Sequence, residues 1–264
     1  MSHNPGANNA GINVDDGGRG GLPVVFVHSL AGNASQWSMQ LDHLRKERRA
    51  VAFDLRGHGQ SDPPSDGDYW VESLAKDIDI VARSLDLKQF VLVGHSLGAS
   101  ISIAYAGENP HRVRGLLLAD PSGDGRALPD EIIEPFLAAL QSDDYQRTIS
   151  DYWQTLLVGS GQVVTERVMR DLFATSKDVV AGAFRDSLLF DPVSMLQRYP
   201  GPKLSVLSHL NNAPYSLHNL VSDLPILKIS GTGHWLQMDR PDEFNRILDQ
   251  FLLSLEDGGK MAGG

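Results

Sequence analysis

The sequence predicts an α/β protein with a doubly wound, mostly parallel sheet and an inserted helical lid. Short runs of apolar, β-branched residues alternate with segments whose apolar residues recur at helical spacing, as in strands joined by crossover helices. The alternation is interrupted once, between residues 122 and 198, where helical segments follow one another without a strand. With 264 residues, the chain is long enough for one large domain with such an insertion.

The first half of the chain contains most of the predicted sheet. Residues 1–21 are rich in Gly and Asn, and we expect a flexible leader with a short edge strand at 11–14. Strands are predicted at 22–27, 49–53, 90–93 and 113–119. Helices are predicted at 37–48, at 71–85, and from directly after Ser96 to near Asn109.

The second half completes the predicted domain. Four helical segments, at 131–141, 144–157, 165–176 and 178–189, make up a lid at 122–198. Strands at 203–207 and 225–229 and a helix at 241–255 return the chain to the core, which therefore covers 22–121 and 199–257. Residues 258–264 are a predicted flexible tail. In such sheets ligands bind at the carboxyl ends of the strands, so polar residues there are site candidates.

The most informative stretch is Gly94-His95-Ser96-Leu97-Gly98, which directly follows the apolar run Phe90–Val93. The small glycines allow a strand and a helix to meet at a sharp turn, and the turn holds the Ser96 hydroxyl out above the sheet. This is the G-x-S-x-G nucleophile elbow in its expected strand–turn–helix context. Ser96 is therefore a candidate nucleophile.

A serine hydroxyl is a weak nucleophile and needs a neighbouring base. His234 lies in a Gly-rich loop after the last predicted strand, which brings it to the same rim of the sheet as Ser96. It also follows the serine in the order Ser, acid, His that hydrolases with this elbow use. His234 is the candidate base.

Four motifs together resemble the α/β-hydrolase fold superfamily, and most closely its small serine esterase-type members with helical lids. They are His28-Ser29-x-x-Gly32, Asp54-x-Arg56-Gly57-His58-Gly59-x-Ser61, Gly94-His95-Ser96-Leu97-Gly98 and Gly233-His234-Trp235. The resemblance covers residues 21–255 and implies a Ser–His–acid triad that hydrolyses esters through an acyl-enzyme. It also implies an oxyanion hole formed by the backbone N–H groups of Leu30 and Leu97. Ser29 departs from the family pattern, which usually has glycine there, so the geometry of the oxyanion loop stays open.

The acid of the triad has two main candidates. Family members commonly place an Asp after the strand that follows the lid, but Asn211 occupies that position here. Asp120, at the end of the predicted strand 113–119, matches the position used by haloalkane dehalogenases and cofactor-free dioxygenases of this fold. We favour Asp120 because an imidazolium needs a charged partner. Asn211 remains the alternative, and Asp124 is a weaker third candidate.

Composition narrows the function classes. The net charge of −10 disfavours nucleic acid and anionic membranes as partners. The absence of cysteine excludes disulfides and thiolate chemistry, and no histidine pair has the spacing of a metal site. No stretch has the length of a membrane helix or a signal peptide, so we expect a cytoplasmic protein. No cofactor is indicated, and the oligomeric state is not readable from the sequence.

The predicted function is therefore that of a serine hydrolase acting on carboxylic esters or lactones of small to medium size. One alternative is a cofactor-free dioxygenase, or another non-hydrolytic enzyme of this fold, with its acid at Asp120. A second alternative lies outside catalysis: a small-molecule receptor or regulatory protein with a weakened triad.

Overall fold

A seven-stranded sheet organises the chain, in the order β1-β3-β2-β4-β5-β6-β7. The structure is a computed structural model and describes residues 11–256. β1 is antiparallel to β3, and the other neighbouring pairs of this sheet are parallel. The strands are β1 (Val14–Gly17), β2 (Val24–Val27), β3 (Ala50–Phe53), β4 (Phe90–His95), β5 (Val113–Ala119), β6 (Lys203–Leu207) and β7 (Ile226–Lys228).

Helices join the strands and cover both faces of the sheet. The α-helices of the described residues are α1 (Ser38–Leu44), α2 (Val71–Ser84), α3 (Leu97–Glu108), α4 (Asp130–Gln141), α5 (Tyr145–Leu156), α6 (Gln162–Ala174), α7 (Lys177–Ser187), α8 (Pro192–Gln197), α9 (Leu217–Leu220), α10 (Leu236–Asp239) and α11 (Pro241–Glu256). Short 3-10 helices lie at Ala34–Trp37 and Gly125–Ala127.

The central strands are buried on both sides, and their alternate residues belong to two separate cores. In β4, Leu92 packs in the core that contains α2 and α3, whereas Val91 and Val93 pack in the core that contains α1 and α11. Successive side chains of a strand point to opposite faces, so a strand that is apolar throughout needs a helical layer on each side. The predicted doubly wound α/β fold is confirmed.

The strand predictions agree closely with the structure except at the amino-terminal edge. The edge strand lies at Val14–Gly17 and not at 11–14. Residues before it pair with a loop instead, since the carbonyl of Gly11 accepts from Asp62 N at 2.9 Å and that of Asn13 from Asp54 N at 2.9 Å. Strand β1 also corrects the predicted flexible leader at 1–21, part of which is ordered sheet. Residues 1–10 and the predicted tail at 258–264 lie outside the described residues.

The helix predicted at 37–48 is shorter and begins as a 3-10 turn. The side chain of Asn33 accepts from Ser35 N at 3.1 Å and caps that turn, which begins at Ala34, three residues before the predicted helix start. At the other end, the Leu44 carbonyl accepts from both Glu47 N and Arg48 N, which closes α1 in a turn. Local capping therefore overrides the apolar periodicity at both ends.

Helices α4–α8 lie between β5 and β6 in the chain, and we call residues 122–198 the helical block. Four of these helices match the predicted segments to within three residues at each end. The fifth, α8, is missing from the prediction although its signals are present: Asp191 caps Ser194 N at 3.0 Å, and Pro192 occupies the first helical position. Six residues are too few to show a helical period.

Candidate active site

Ser96 lies at a strained turn between β4 and α3. Its φ of 54° and ψ of −116° place it in a region that residues with a Cβ rarely adopt. The flanking glycines make the turn possible, because a Cβ on Gly94 would overlap the carbonyl oxygen of Gly98. A Cβ on Gly98 would in turn overlap the carbonyl oxygens of Val27 and His28. The structure therefore has the predicted elbow, with Ser96 at its apex.

Asp120 lies beside this elbow because β4 and β5 are neighbours in register. His95 and Ala119 are opposite each other at the ends of the two strands, and Ser96 N donates to the Ala119 carbonyl at 3.1 Å. Ser96 and Asp120 therefore both follow directly on paired strand ends. Asp120 has a positive φ of 42°, a conformation that Asp tolerates better than most residues.

His234 is bonded to Asp120. The imidazole Nδ1 lies 2.6 Å from the carboxylate Oδ2, and the exposed fractions of the two side chains are 12% and 1%. A carboxylate accepts, so Nδ1 carries the proton and Nε2 is left as the basic nitrogen. The structure thus joins the predicted base to the predicted acid.

The Asp120 carboxylate is held ionised by its surroundings. Burial by itself raises the pKa of Asp120, but the hydrogen bonds and the charge it meets outweigh burial and leave the pKa below its usual value. Besides His234, Asp120 accepts from Ser208 N to Oδ1 at 2.8 Å and from Ser208 Oγ to Oδ2 at 2.8 Å. Ser208 is a site residue that the sequence analysis did not single out. Its only signal was its place at the end of a buried strand.

The other two acid candidates have different partners. Asn211 donates from Nδ2 to the Pro121 carbonyl at 2.9 Å and contributes to the wall of the cavity. Asp124 caps a 3-10 helix and forms an ion pair of 2.7 Å with Arg126. Neither is hydrogen-bonded to the imidazole within residues 11–256.

The predicted oxyanion residues, Leu30 and Leu97, line the same cavity as Ser96. Leu97 is the first residue of α3, where a backbone N–H has no partner inside its own helix. Leu30 lies in the loop after β2, and within the part of the chain that the structure describes its N–H donates to no other group. The side chain of Ser29 is buried and turned toward Gln36, with 3.4 Å between Oγ and Oε1. Its hydroxyl therefore has a partner outside the oxyanion hole.

These groups surround a cavity of about 230 Å³, somewhat smaller than the roughly 300–1,000 Å³ usual for ligand pockets. Aromatic and aliphatic side chains from the helical block line one side of it. Asp120, already paired, is the single Asp, Glu, Lys or Arg among the lining residues within 11–256. The walls of the cavity are formed by Ser29, Leu30, Ser96, Leu97, Asp120, Pro121, Ser122, Gly123, Gly125, Leu128, Tyr152, Trp153, Leu156, Phe184, Ser187, Leu188, Leu210, Asn211, Ala213, Tyr215, Ser216, His234 and Trp235.

Tyr152 is a polar group in this largely apolar wall. Its ring packs against Phe136 and Phe184, with centroid distances of 5.4 and 5.6 Å. Burial, together with the nearby Tyr215, raises the pKa of Tyr152 to about 12, so the phenol is a neutral donor at ordinary pH. The sequence analysis did not single out this hydroxyl.

The arrangement is suited to nucleophilic catalysis. A strained serine, an imidazole with one free nitrogen and a buried carboxylate meet at one cavity, with unpaired backbone N–H groups close by. Within residues 11–256 the Ser96 hydroxyl makes no hydrogen bond, and catalytic hydrogen bonds often tighten only when substrate is bound. No group of three or more His, Asp or Glu in the described residues has the geometry of a metal site.

The family model described as the alpha/beta hydrolase fold matches residues 23–241. The chain belongs to the α/β-hydrolase fold family. This confirms the resemblance that the four motifs indicated, and the matched range includes the elbow, Asp120 and His234.

Members of several activity classes are similar to this α/β hydrolase. The dihydrolipoyllysine-residue acetyltransferase component of the acetoin cleaving system of Pseudomonas putida is 28% identical over 254 residues, which is 89% of this chain and 65% of that protein. The sn-1-specific diacylglycerol lipase ABHD11 of Mus musculus is 26% identical over 251 residues, 87% of this chain and 80% of that one. The chain thus spans less than two thirds of the length of the bacterial relative.

Solved structures of other proteins have the same fold as this chain. Est816, described as an N-acyl homoserine lactone degrading enzyme, superimposes with a TM-score of 0.77 at 25% identity, covering 91% of this chain and 96% of that one. Within residues 11–256, no helix combines the length and apolarity needed to cross a bilayer.

Proposed function

We propose that this α/β hydrolase is a serine hydrolase that cleaves small, uncharged carboxylic esters, including lactones, through an acyl-enzyme on Ser96. One observation carries the proposal: the 2.6 Å hydrogen bond between His234 Nδ1 and the buried carboxylate of Asp120, beside a strained Ser96. A serine that only served binding would need neither the strained backbone nor an imidazole oriented by a charge.

In the acylation half, Ser96 Oγ attacks the carbonyl carbon and its proton passes to His234 Nε2. Asp120 stabilises the resulting imidazolium through Nδ1. The N–H groups of Leu30 and Leu97 donate to the oxyanion, helped at Leu97 by the positive end of the α3 dipole. The imidazolium then protonates the leaving alcohol as the C–O bond breaks.

In the deacylation half, water takes the place of the alcohol. His234 Nε2 removes a proton from the water as its oxygen attacks the acyl carbon, and a second oxyanion forms at the same N–H groups. Return of the proton to Ser96 Oγ releases the carboxylic acid and restores the free serine.

The uncharged substrate class follows from the cavity. Its lining has no cationic side chain within the described residues, and its one carboxylate is fully engaged. A substrate anion there would be desolvated next to Asp120 without a compensating partner. The helical block supplies apolar walls, including Leu156, Phe184 and Leu188, and we propose that it acts as the lid of the acyl pocket. The lipase and lactone-degrading descriptions of two similar proteins are consistent with an ester or lactone substrate.

Labelling with a fluorophosphonate tests the proposal directly. The wild type is expected to add the probe covalently and to hydrolyse the p-nitrophenyl ester of butyrate, and Ser96→Ala to do neither. Ser100→Ala is the matched control, because Ser100 lies one turn further along α3 and outside the cavity wall. A wild type that takes up no label would overturn the proposal.

The same variants separate the two alternative functions. The position of Asp120 after β5 also suits a cofactor-free dioxygenase, in which the serine need not be acylated. Oxygen-dependent turnover that survives Ser96→Ala would favour that enzyme. Stabilisation by a small ligand, with neither labelling nor turnover, would favour a receptor.

A further inference from the structure

His95 is buried beneath the candidate catalytic residues and takes no direct part in the proposed chemistry. It ends β4, directly before Ser96, and its side chain is 0% exposed. The imidazole packs 4.7 Å from the ring of His234 and 5.9 Å from that of Trp235, and meets Trp37 edge-on at 6.4 Å. A polar ring in such a place needs hydrogen-bond partners.

Those partners define one tautomer. His95 Nε2 lies 2.9 Å from the carbonyl oxygen of His234, and a carbonyl can only accept, so Nε2 carries the proton. His95 Nδ1 is then an acceptor, and Gln237 Nε2 lies 3.4 Å from it. Gln237 is itself held by Gln40, whose Nε2 donates to the Gln237 carbonyl at 3.1 Å. The chain from Gln40 to His95 therefore ends at the backbone of His234.

His234 is consequently anchored at three points. Its backbone N–H donates to the Leu156 carbonyl at 2.9 Å, its carbonyl accepts from His95, and its Nδ1 is bonded to Asp120. Only Nε2 is left free. The His95 anchor comes from the residue next to the nucleophile, so it links the backbone of the base to the strand that carries the serine.

We propose that His95 is a positioning residue, which sets the separation between Ser96 and His234 by donating from Nε2 to the His234 carbonyl. The proposal deepens the proposed function and rests on it. Misplacing reacting groups by about 1 Å can cost on the order of 100-fold in rate. Loss of this one hydrogen bond is therefore expected to lower kcat.

The ring also has to stay uncharged to fill this role. Burial, followed by the charge of the neighbouring His234, lowers the pKa of His95 to about 3. A neutral His95 keeps Nδ1 as an acceptor for Gln237 and adds no positive charge beside the imidazolium that forms on His234 during turnover.

Two amide substitutions separate positioning from packing. The Nε2 of glutamine is three bonds from Cβ, as is the Nε2 of histidine, so His95→Gln retains a donor in place. His95→Asn is also uncharged and polar, but its nitrogen is one bond shorter and corresponds to Nδ1. We expect His95→Asn to lower kcat for the butyrate ester by about 100-fold with KM nearly unchanged, and His95→Gln to stay within about fivefold of the wild type.

Proton NMR provides a readout that does not depend on turnover. The Nδ1 proton of His234, in a short bond to a carboxylate, is expected as a low-field resonance in the wild type and in His95→Gln, and to be lost or broadened in His95→Asn. Thermal unfolding of each variant identifies any that do not fold. The spectra test His95 even if the wild type hydrolyses no ester, in which case only the proposed function fails.

The pattern across the two variants decides the inference. The inference is supported if kcat falls strongly in His95→Asn but stays near the wild-type value in His95→Gln, and if the low-field resonance is lost or broadened only in His95→Asn. Equal kcat values for two folded variants, an effect on KM alone, or a resonance identical in all three proteins would overturn it.

Discussion

The imidazole Nδ1 of His234 and the carboxylate Oδ2 of Asp120 lie 2.6 Å apart, although 114 residues separate them in the chain. Asp120 reaches the imidazole from the strand next to that of Ser96, and Ser208, at the end of β6, holds its carboxylate from the other side. Three adjacent parallel strands, β4, β5 and β6, thus each contribute a residue at the same edge. Asn211, only three residues after Ser208, is turned away to the Pro121 carbonyl.

Replacing Asp120 by asparagine is expected to lower kcat for the butyrate ester by about 10³- to 10⁴-fold. The amide cannot stabilise the imidazolium, and it favours the wrong imidazole tautomer. Steady-state kinetics of Asp120→Asn measures the loss. Introducing Asn211→Asp in the same chain should not restore kcat, because Asn211 is not bonded to His234. Recovery to near wild-type rates in the double variant would mean that residue 211 can supply the acid.

Removing the Ser208 hydroxyl is expected to lower kcat by about tenfold and the free energy of unfolding by about 1–3 kcal/mol. Ser208→Ala takes one donor from a buried, ionised carboxylate. Ser205→Ala is the matched control, since Ser205 is on β6, which Ser208 directly follows, is equally buried and has no hydrogen-bond partner for Oγ among the described residues. Urea unfolding and steady-state kinetics of the two variants measure both effects. Equal losses of kcat and of unfolding free energy in Ser208→Ala and Ser205→Ala would contradict this role of the Ser208 hydroxyl.

Tyr152→Phe is expected to change substrate preference more than rate. The Tyr152 phenol is a neutral donor at the cavity, so an ester whose acyl chain carries an extra carbonyl should gain from it, whereas a plain acyl ester should not. We expect kcat/KM for the carbonyl-bearing ester to fall about tenfold and that for the plain ester to stay the same. Tyr145→Phe, on the same helix but outside the cavity wall, is the control. Equal losses for both esters would contradict a recognition role.

Stability is expected to decline as the pH falls below about 6.5, the usual pKa of histidine. Burial, together with neighbouring histidines, lowers the pKa values of His58 and His95 to about 3, and burial lowers that of His28 as well. Between pH 6.5 and 3 the unfolded chain therefore binds more protons than the folded one. The stability contributed by each neutral ring is complete above pH 6.5 and is lost at up to about 1.4 kcal/mol per pH unit below it.

Urea unfolding at a series of pH values from 7 to 4 measures this slope. His58→Gln should reduce the slope of unfolding free energy against pH by up to about 1.4 kcal/mol per pH unit, the contribution of one proton, because glutamine does not titrate. A slope unchanged in that variant would show that His58 does not set the acid sensitivity.

Sequence reasoning reached the fold and two candidate site residues through local patterns. The elbow at Ser96 needs only a strand, two glycines and a helix within eleven residues, and each of these can be recognised from the local residue pattern. His234 was placed by a Gly-rich loop after the last strand. The helices of the helical block were predictable because their apolar stripes repeat over three turns or more. Shorter elements such as α8 and α10 have too few residues to show a period.

Contacts between distant segments could not be read in the same way. Ser208 and His95 are hydrogen-bonded to Asp120 and to the His234 carbonyl, and neither residue type nor spacing predicts those partners. The predicted edge strand lies three residues before β1, which pairs with β3 from Val14 onward. The residues before Val14 pair with the loop at 54–62 instead, because the carbonyls of Gly11 and Asn13 accept from Asp62 N and Asp54 N.

The sequence by itself determined the family, the alternation of strands and helices, and the position of Ser96 at a turn that only glycine neighbours permit. It favoured Asp120 over Asn211 as the partner of His234 because an imidazolium needs a charged partner, although both residues follow predicted strands at the same edge of the sheet. Only the tertiary structure decided between them. Strand order and register set which side chains meet, and they put Asp120 within 2.6 Å of the imidazole while the Asn211 amide is bonded to the Pro121 carbonyl.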